Sequence, residues 1–249
     1  MTSTVTISCP DGIVLSADTR ITRVRNGEIV CFEDNVTKIF EFRRNQVGAS
    51  YWGLAELDGK PMLDVLSEFD QEVVEGSDDV NTISEKLVGH FRRHFRGIND
   101  RMGVHVAGYC KGDEGTYPQI RHVFHMKYHS PGEFTNEDSN VERHSLTDGT
   151  VARHPYNPYV SVFNGDYTVA SALFNYLPYL KQGRRPLVLP DQLNLDQCVE
   201  LAKFVIESSA KIIPFVYELN QGVAGKMSQT VLGLTIAKIT KIKGFEFVR

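Results

Sequence analysis

A chain of 249 residues with 41% hydrophobic side chains carries enough apolar material for one sizeable core. Its formal charge of −4, mixed in sign and without a long basic block, argues against the electropositive face of a nucleic-acid binder, so no nucleic-acid partner is expected. Cys9, Cys31, Cys110 and Cys198 stand far apart with no C-x-x-C pair, which points away from a zinc site or a disulfide framework and towards a reducing, cytoplasmic setting.

No basic segment followed by an apolar run opens the chain, and no run reaches bilayer length, so neither a signal peptide nor a membrane partner is expected. Thr2 follows Met1, and a side chain this small permits an aminopeptidase to remove Met1. Thr2 then carries a hydroxyl and a free α-amine together. With a pKa near ~8 the amine is in large part unprotonated at neutral pH and can take the hydroxyl proton; without such a base a threonine hydroxyl is inert. From Thr2 onward the residues alternate, with Val5, Ile7 and Cys9 on one face and Thr2, Thr4, Thr6 and Ser8 on the other, as in a half-buried strand. Pro10, Asp11 and Gly12 turn the chain. Residues 13–18 return antiparallel, which brings Asp18 back beside Thr2.

A second hairpin is expected from residues 39–42 and 47–52, ending at Gly53. Residues 62–75 and 80–95 have helical periodicity, the first through Leu63, Leu66, Phe69 and Val73, the second through Ile83, Leu87, Val88 and Phe91 with Asn81 or Thr82 as cap. His90 and His94 lie one turn apart, yet Arg92, Arg93 and Arg96 surround them, so they read as a solvated helix face. A short strand at 104–109 precedes a polar segment, 111–158, containing one strand at 120–128 and, at 132–151, a surface excursion or interface loop without apolar periodicity. His122, His125 and His129 cluster in sequence, but strand alternation sends His122 and His125 to opposite faces, so no metal site is expected. Residues 159–165 form a strand and 166–177 a helix. Residues 195–212 form the most regular helix, capped by Asn194 and buried through Leu195, Val199, Ala202, Val205 and Ile206; residues 228–240 supply the last core strands. Strands, helices, strands, helices and strands in that order predict an α+β fold in layers.

The N-terminal threonine, T-x-T-V, the D-G turn, V-L-S-A-D-x-R and N-V-x-K-I-F together resemble the catalytic β-type subunits of the proteasome and their bacterial peptidase relatives, which are N-terminal-nucleophile hydrolases. The resemblance covers nearly the whole chain at low density and is strongest in residues 2–53 and 195–240. It implies a four-layer αββα sandwich, two antiparallel sheets between helix layers, in one domain spanning residues 1–249 with an enlarged insertion at about 111–158. It further implies that Thr2 attacks an amide, with Asp18 and Lys38 holding the electrostatics. The Asp18-to-Lys38 spacing exceeds that of the family by a few residues, so residues 22–33 must hold an enlarged loop. Gly53 aligns with the glycine whose N–H holds the oxyanion, a place where a missing Cβ allows close approach; a plain turn glycine is the other reading. F-N-G-D at 163–166 replaces the G-S-G of the family, so Asn164 stands where a serine orients the nucleophile's amine. Ser228 is kept, but the acidic residue expected near position 225 is missing. The places lining the pocket for the residue before the cleaved bond fall on Ile21, Thr22, Tyr51 and Ala55, with bulky Tyr51 as its floor or else turned into the core.

Two functions follow as expectations: a threonine-type peptidase or amide hydrolase acting on peptide or amide substrates with no cofactor and no metal, or a non-catalytic scaffold or binding subunit of the same fold. The family's habit implies a homo-oligomer, as a ring or partial ring.

Overall fold

The computed structural model describes residues 3–25, 28–42, 46–98, 100–112, 115–126, 128–139, 143–145, 151–153, 160–165, 193–221 and 233–248. Its first strands are β1 (Ser3–Cys9), β2 (Gly12–Asp18), β3 (Ile21–Arg25), β4 (Glu28–Glu33), β5 (Ile39–Phe42) and β6 (Val47–Trp52), followed by the short pair β7 (Glu56–Leu57) and β8 (Lys60–Pro61). Helices α1 (Met62–Glu72) and α2 (Val80–His94) come next, then β9 (Met102–Gly112), β10 (Gly115–His125), β11 (Thr135–Asp138), β12 (Arg143–Ser145), β13 (Val151–Arg153) and β14 (Val160–Gly165). Helix α3 (Leu195–Gln221) precedes β15 (Leu234–Thr240) and β16 (Gly244–Phe247).

Two five-stranded sheets, both antiparallel, organise these elements: β14-β1-β2-β15-β16 and β11-β10-β9-β6-β5. The molecule is therefore of mixed α+β class. Three apolar clusters explain why each strand alternates as it does. Val5, Ile7, Cys9 and Val14 of the first sheet pack against Cys198, Ala202, Val205 and Ile206 of α3. The opposite face of β2, through Ile13, Leu15 and Ala17, joins Ala237 and Ile239 in packing against Ile39, Ala107 and Ile120 of the second sheet. Beyond that sheet Val47, Ala49, Tyr51, Val104 and Val106 meet Phe69, Ile83, Leu87 and Phe91 of α1 and α2.

The half-buried strand expected at the N-terminus is corrected by this packing, because β1 and β2 are buried along their whole lengths. Their polar residues face other protein, not water. Asp79, rather than Asn81 or Thr82, caps α2, its Oδ1 accepting from the Thr82 N–H at 2.9 Å. At α3 Asn194 is the cap: its Oδ1 accepts from the Gln197 N–H at 2.9 Å while Gln197 Oε1 accepts from the Asn194 N–H at 3.0 Å, a capping box. The strand expected at 104–109 extends at both ends, that at 120–128 lies nearer the N-terminus, and the excursion expected at 132–151 contains β11, which pairs with β10. Hydrophobic periodicity misses such strands because β11 (T-N-E-D) is polar throughout and is held by ladder hydrogen bonds at a sheet edge. His90 is not on a solvated face either: it is buried against Phe69, and only His94 is exposed. His122 and His125 do take opposite faces of β10, the first touching Trp52 and His105, the second Phe134. The helix expected at 166–177 lies outside the described residues, as do residues 228–232 of the last strand segment.

Leu15 is fully buried where the sheets meet. Leu15→Ala is expected to lower the unfolding free energy by about 2–5 kcal/mol in urea titrations, the range for a core leucine whose cavity cannot collapse. A loss under about 0.5 kcal/mol would mean the sheets do not pack through this side chain.

Candidate active site

The site is built where β1 begins and β2 ends. Asp18 is the last residue of β2 and is 1% exposed, so its carboxylate has to be satisfied by protein. Its Oδ1 accepts from the backbone N–H of Ser3 at 2.6 Å, and its Oδ2 accepts from the N–H of Arg20 at 3.0 Å and from Lys38 Nζ at 2.9 Å. Lys38, also 1% exposed, donates a second bond to the Arg20 carbonyl at 2.5 Å. Burial lowers the Lys38 pKa below its ordinary value, with the Asp18 carboxylate pulling the other way. Lys38 therefore parts with its proton more readily than an exposed lysine does.

Local backbone structure fixes these two side chains. The Val36 N–H bonds Thr19 O at 2.9 Å and the Tyr51 N–H bonds Lys38 O at 3.1 Å, tying the segment before β5 to the end of β2 and to β6. The Thr19 N–H in turn bonds Gly233 O at 3.0 Å, just ahead of β15. The enlarged loop expected in residues 22–33 is the hairpin β3–β4, with a register shift between Arg23 and Val24. Arg20 anchors it: Nε and Nη2 grip Asp34 at 2.6 and 3.0 Å, and the guanidinium lies 5.0 Å from the Phe32 ring centroid. The bond from Arg20 holds the Asp34 carboxyl below the usual carboxylate range.

Among the pocket residues, Ile21 is buried and Thr22 and Ala55 are half-buried. Tyr51 is 3% exposed, belongs to the cluster under α1 and α2, and donates its hydroxyl to Thr37 O at 3.3 Å. Burial first, then the charges of Asp18 and Glu33, push the Tyr51 hydroxyl pKa up, so it stays a neutral donor. Gly53 follows β6 with φ of +84°, and a Cβ there would run into the Arg101 carbonyl. That backbone conformation alone requires glycine. Thr2, Ser228 and position 225 lie outside the described residues.

A second polar group sits between the sheets. Thr6 Oγ1 lies 2.9 Å from His105 Nδ1 and 3.5 Å from Ser50 Oγ, and Asn164 Nδ2 lies 2.5 Å from His105 Nε2. Asn164 thus directs its side chain at His105, while its carbonyl oxygen accepts from Thr4 Oγ1 at 3.5 Å. His122 stands edge-on to His105 with ring centroids 4.9 Å apart, and its Nε2 accepts from Trp52 Nε1 at 3.2 Å. Burial drives both imidazoles towards the neutral form, His122 to a pKa of about 4 and His105 well below its ordinary value.

Sequence reasoning singled out Asp18, Lys38 and Asn164, and the structure joins the first two. It missed Ser3, Arg20 and His105. The first two act through main-chain groups, which leave no side-chain signature, but a histidine inside the apolar run V-H-V-A was a visible sign of a buried polar partner. Among the described residues no three histidine, cysteine, aspartate or glutamate side chains gather to hold a metal, and no helix is long and apolar enough to cross a membrane. Comparison with models of protein families gives no match, and comparison with curated proteins gives none.

Removing one member of a buried ion pair strands the other, so Lys38→Met is expected to cost about 3–5 kcal/mol of stability. The double variant Asp18→Asn, Lys38→Met should lose less than the sum of the single losses when unfolding is followed in urea. Strict additivity would show that the two groups do not interact in solution.

Proposed function

We propose that the chain is a threonine-type N-terminal-nucleophile hydrolase of the proteasome β-like kind, a peptidase or amide hydrolase with the four-layer αββα sandwich. The observation that carries this reading is the Asp18 carboxylate, which takes the Ser3 N–H on one oxygen and the Lys38 ammonium on the other. One buried anion thereby holds a cation at the peptide unit that joins residues 2 and 3. With Met1 removed, Thr2, which precedes Ser3 in the chain, supplies a hydroxyl and an amine.

The chemistry follows from these groups. Thr2 Oγ attacks the amide carbonyl carbon as the α-amine of Thr2 accepts the hydroxyl proton. Lys38 disfavours protonation of the amine in the resting state and stabilises the developing alkoxide, and Asp18 keeps Lys38 in place. Collapse of the tetrahedral intermediate passes the proton to the departing amine and leaves an ester on Thr2, which water then hydrolyses. Gly53 N–H as oxyanion donor, Asn164 and Ser228 as orienting groups, and a substrate pocket near Ile21, Thr22, Tyr51 and Ala55 belong to the same proposal. So do a cytoplasmic location, a homo-oligomeric ring or partial ring, and a reaction that uses no cofactor.

Thr2→Ala is expected to abolish hydrolysis of fluorogenic peptides and labelling by a threonine-directed electrophile while changing stability by less than about 1 kcal/mol, because the substitution removes only one hydroxyl and one methyl group. Equal labelling of the wild type and the variant would reject the mechanism.

A further inference from the structure

The buried imidazole of His105 has both ring nitrogens engaged by side chains on the opposite sheet. Asn164 Nδ2 can only donate, so Nε2 of His105 is the acceptor; a neutral ring then carries its proton on Nδ1, which donates to Thr6 Oγ1. The ring is fully buried, and the Nε2 of its ring neighbour His122 accepts from Trp52. Asn164 differs from His105 in being only half-buried. It lies opposite Thr4 in the β1–β14 ladder, with Gly165 opposite Ser3. The chain of polar contacts thus starts between the sheets and comes out at the part of β14 that borders the beginning of β1.

An amide side chain has two ends, and fixing one fixes the other. With its nitrogen turned inward onto Nε2, Asn164 keeps Oδ1 as the end not committed to His105. We propose that His105 is a positioning residue that holds Asn164 in this flip state, so that Oδ1 serves as the acceptor for the α-amine of processed Thr2. An amine that donates an N–H to Oδ1 keeps its nitrogen lone pair free to take the threonine hydroxyl proton. If Asn164 were free to flip, half of its orientations would present an NH2 group to the amine. This assignment rests on the N-terminal-nucleophile reading above.

The test compares labelling by a threonine-directed electrophile in the wild type, His105→Phe, His105→Gln and the double variant His105→Phe, Asn164→Ala, with thermal unfolding measured alongside. Phenylalanine keeps a ring but removes the acceptor, whereas glutamine restores a carbonyl acceptor and an N–H donor. His105→Phe is expected to lower the maximal labelling rate about tenfold or more at an unchanged half-saturating concentration, since a small misplacement of a catalytic group is costly. Glutamine should recover most of that loss, and the double variant should be no slower than His105→Phe alone. In wild-type protein, 15N NMR of the His105 ring should show Nδ1 protonated and Nε2 bare, a reading independent of activity and of any variant's folding. A protonated Nε2, normal labelling of His105→Phe, or glutamine and phenylalanine variants that lose rate and stability in parallel would each overturn the positioning role while leaving the nucleophile reading intact. No labelling of the wild type would instead remove the nucleophile reading and this proposal with it.

Discussion

A lysine and an aspartate, each 1% exposed and 2.9 Å apart, set the terms for the rest of the molecule. Taking two charges out of water costs several kcal/mol per ion unless every remaining lone pair and proton finds a partner. The backbone N–H groups of Ser3 and Arg20 and the Arg20 carbonyl are among those partners, contributed by the main chain near the ends of β1 and β2. The pair therefore demands that four segments meet at one point: the start of β1, the end of β2, the turn after it and the approach to β5. Hydrophobic packing of the two sheets brings these segments together, and the ion pair selects the register in which they meet. A one-residue slip of β1 against β2 would put Asp18 opposite the wrong amide and turn Val5 and Ile7 away from α3.

The polar residues of β1 make the same point on a smaller scale. Thr6 faces the second sheet, where a hydrophobic side chain would pack as well, and instead meets Ser50 and His105. Buried polar contacts of this kind contribute little net stability but penalise alternatives, because any other arrangement leaves a donor or acceptor unmet. The apolar contact between the sheets, through Leu15, Ile39, Ala107 and Ile239, supplies adhesion; the polar contact supplies alignment. Both are present within the few residues that border the candidate site.

Much of the framework was legible in the chain itself. The alternation of Val5, Ile7 and Cys9, the turn expected over Pro10, Asp11 and Gly12, which falls on the first two with Gly12 opening β2, and the Asn194 cap each state a local preference that the structure keeps. What alternation cannot tell is whether the polar face of a strand meets water or a second sheet, which is why β1 reads as half-buried. The edge strand β11 was illegible because its residues have no apolar period, and β10 and the histidine on α2 were misplaced because burial there depends on partners far away in sequence. At the site, the β1–β2 hairpin placed Asp18 at the end of its strand, while the pairing of Asp18 with Lys38 came from the resemblance of V-L-S-A-D-x-R and N-V-x-K-I-F to the proteasome β-type subunits. Arg20 and Ser3 could not be named, because a carbonyl and an amide look the same at every position.

The account depends on Thr2 being the first residue of the working protein, for only then does an amine lie beside the hydroxyl. The intact mass of the purified, untagged protein, with the sequence of its N-terminal peptide, tests this most directly. A chain that begins at Thr2 is the predicted result. A chain in which Met1 is retained throughout would leave the hydroxyl without its base and contradict the account.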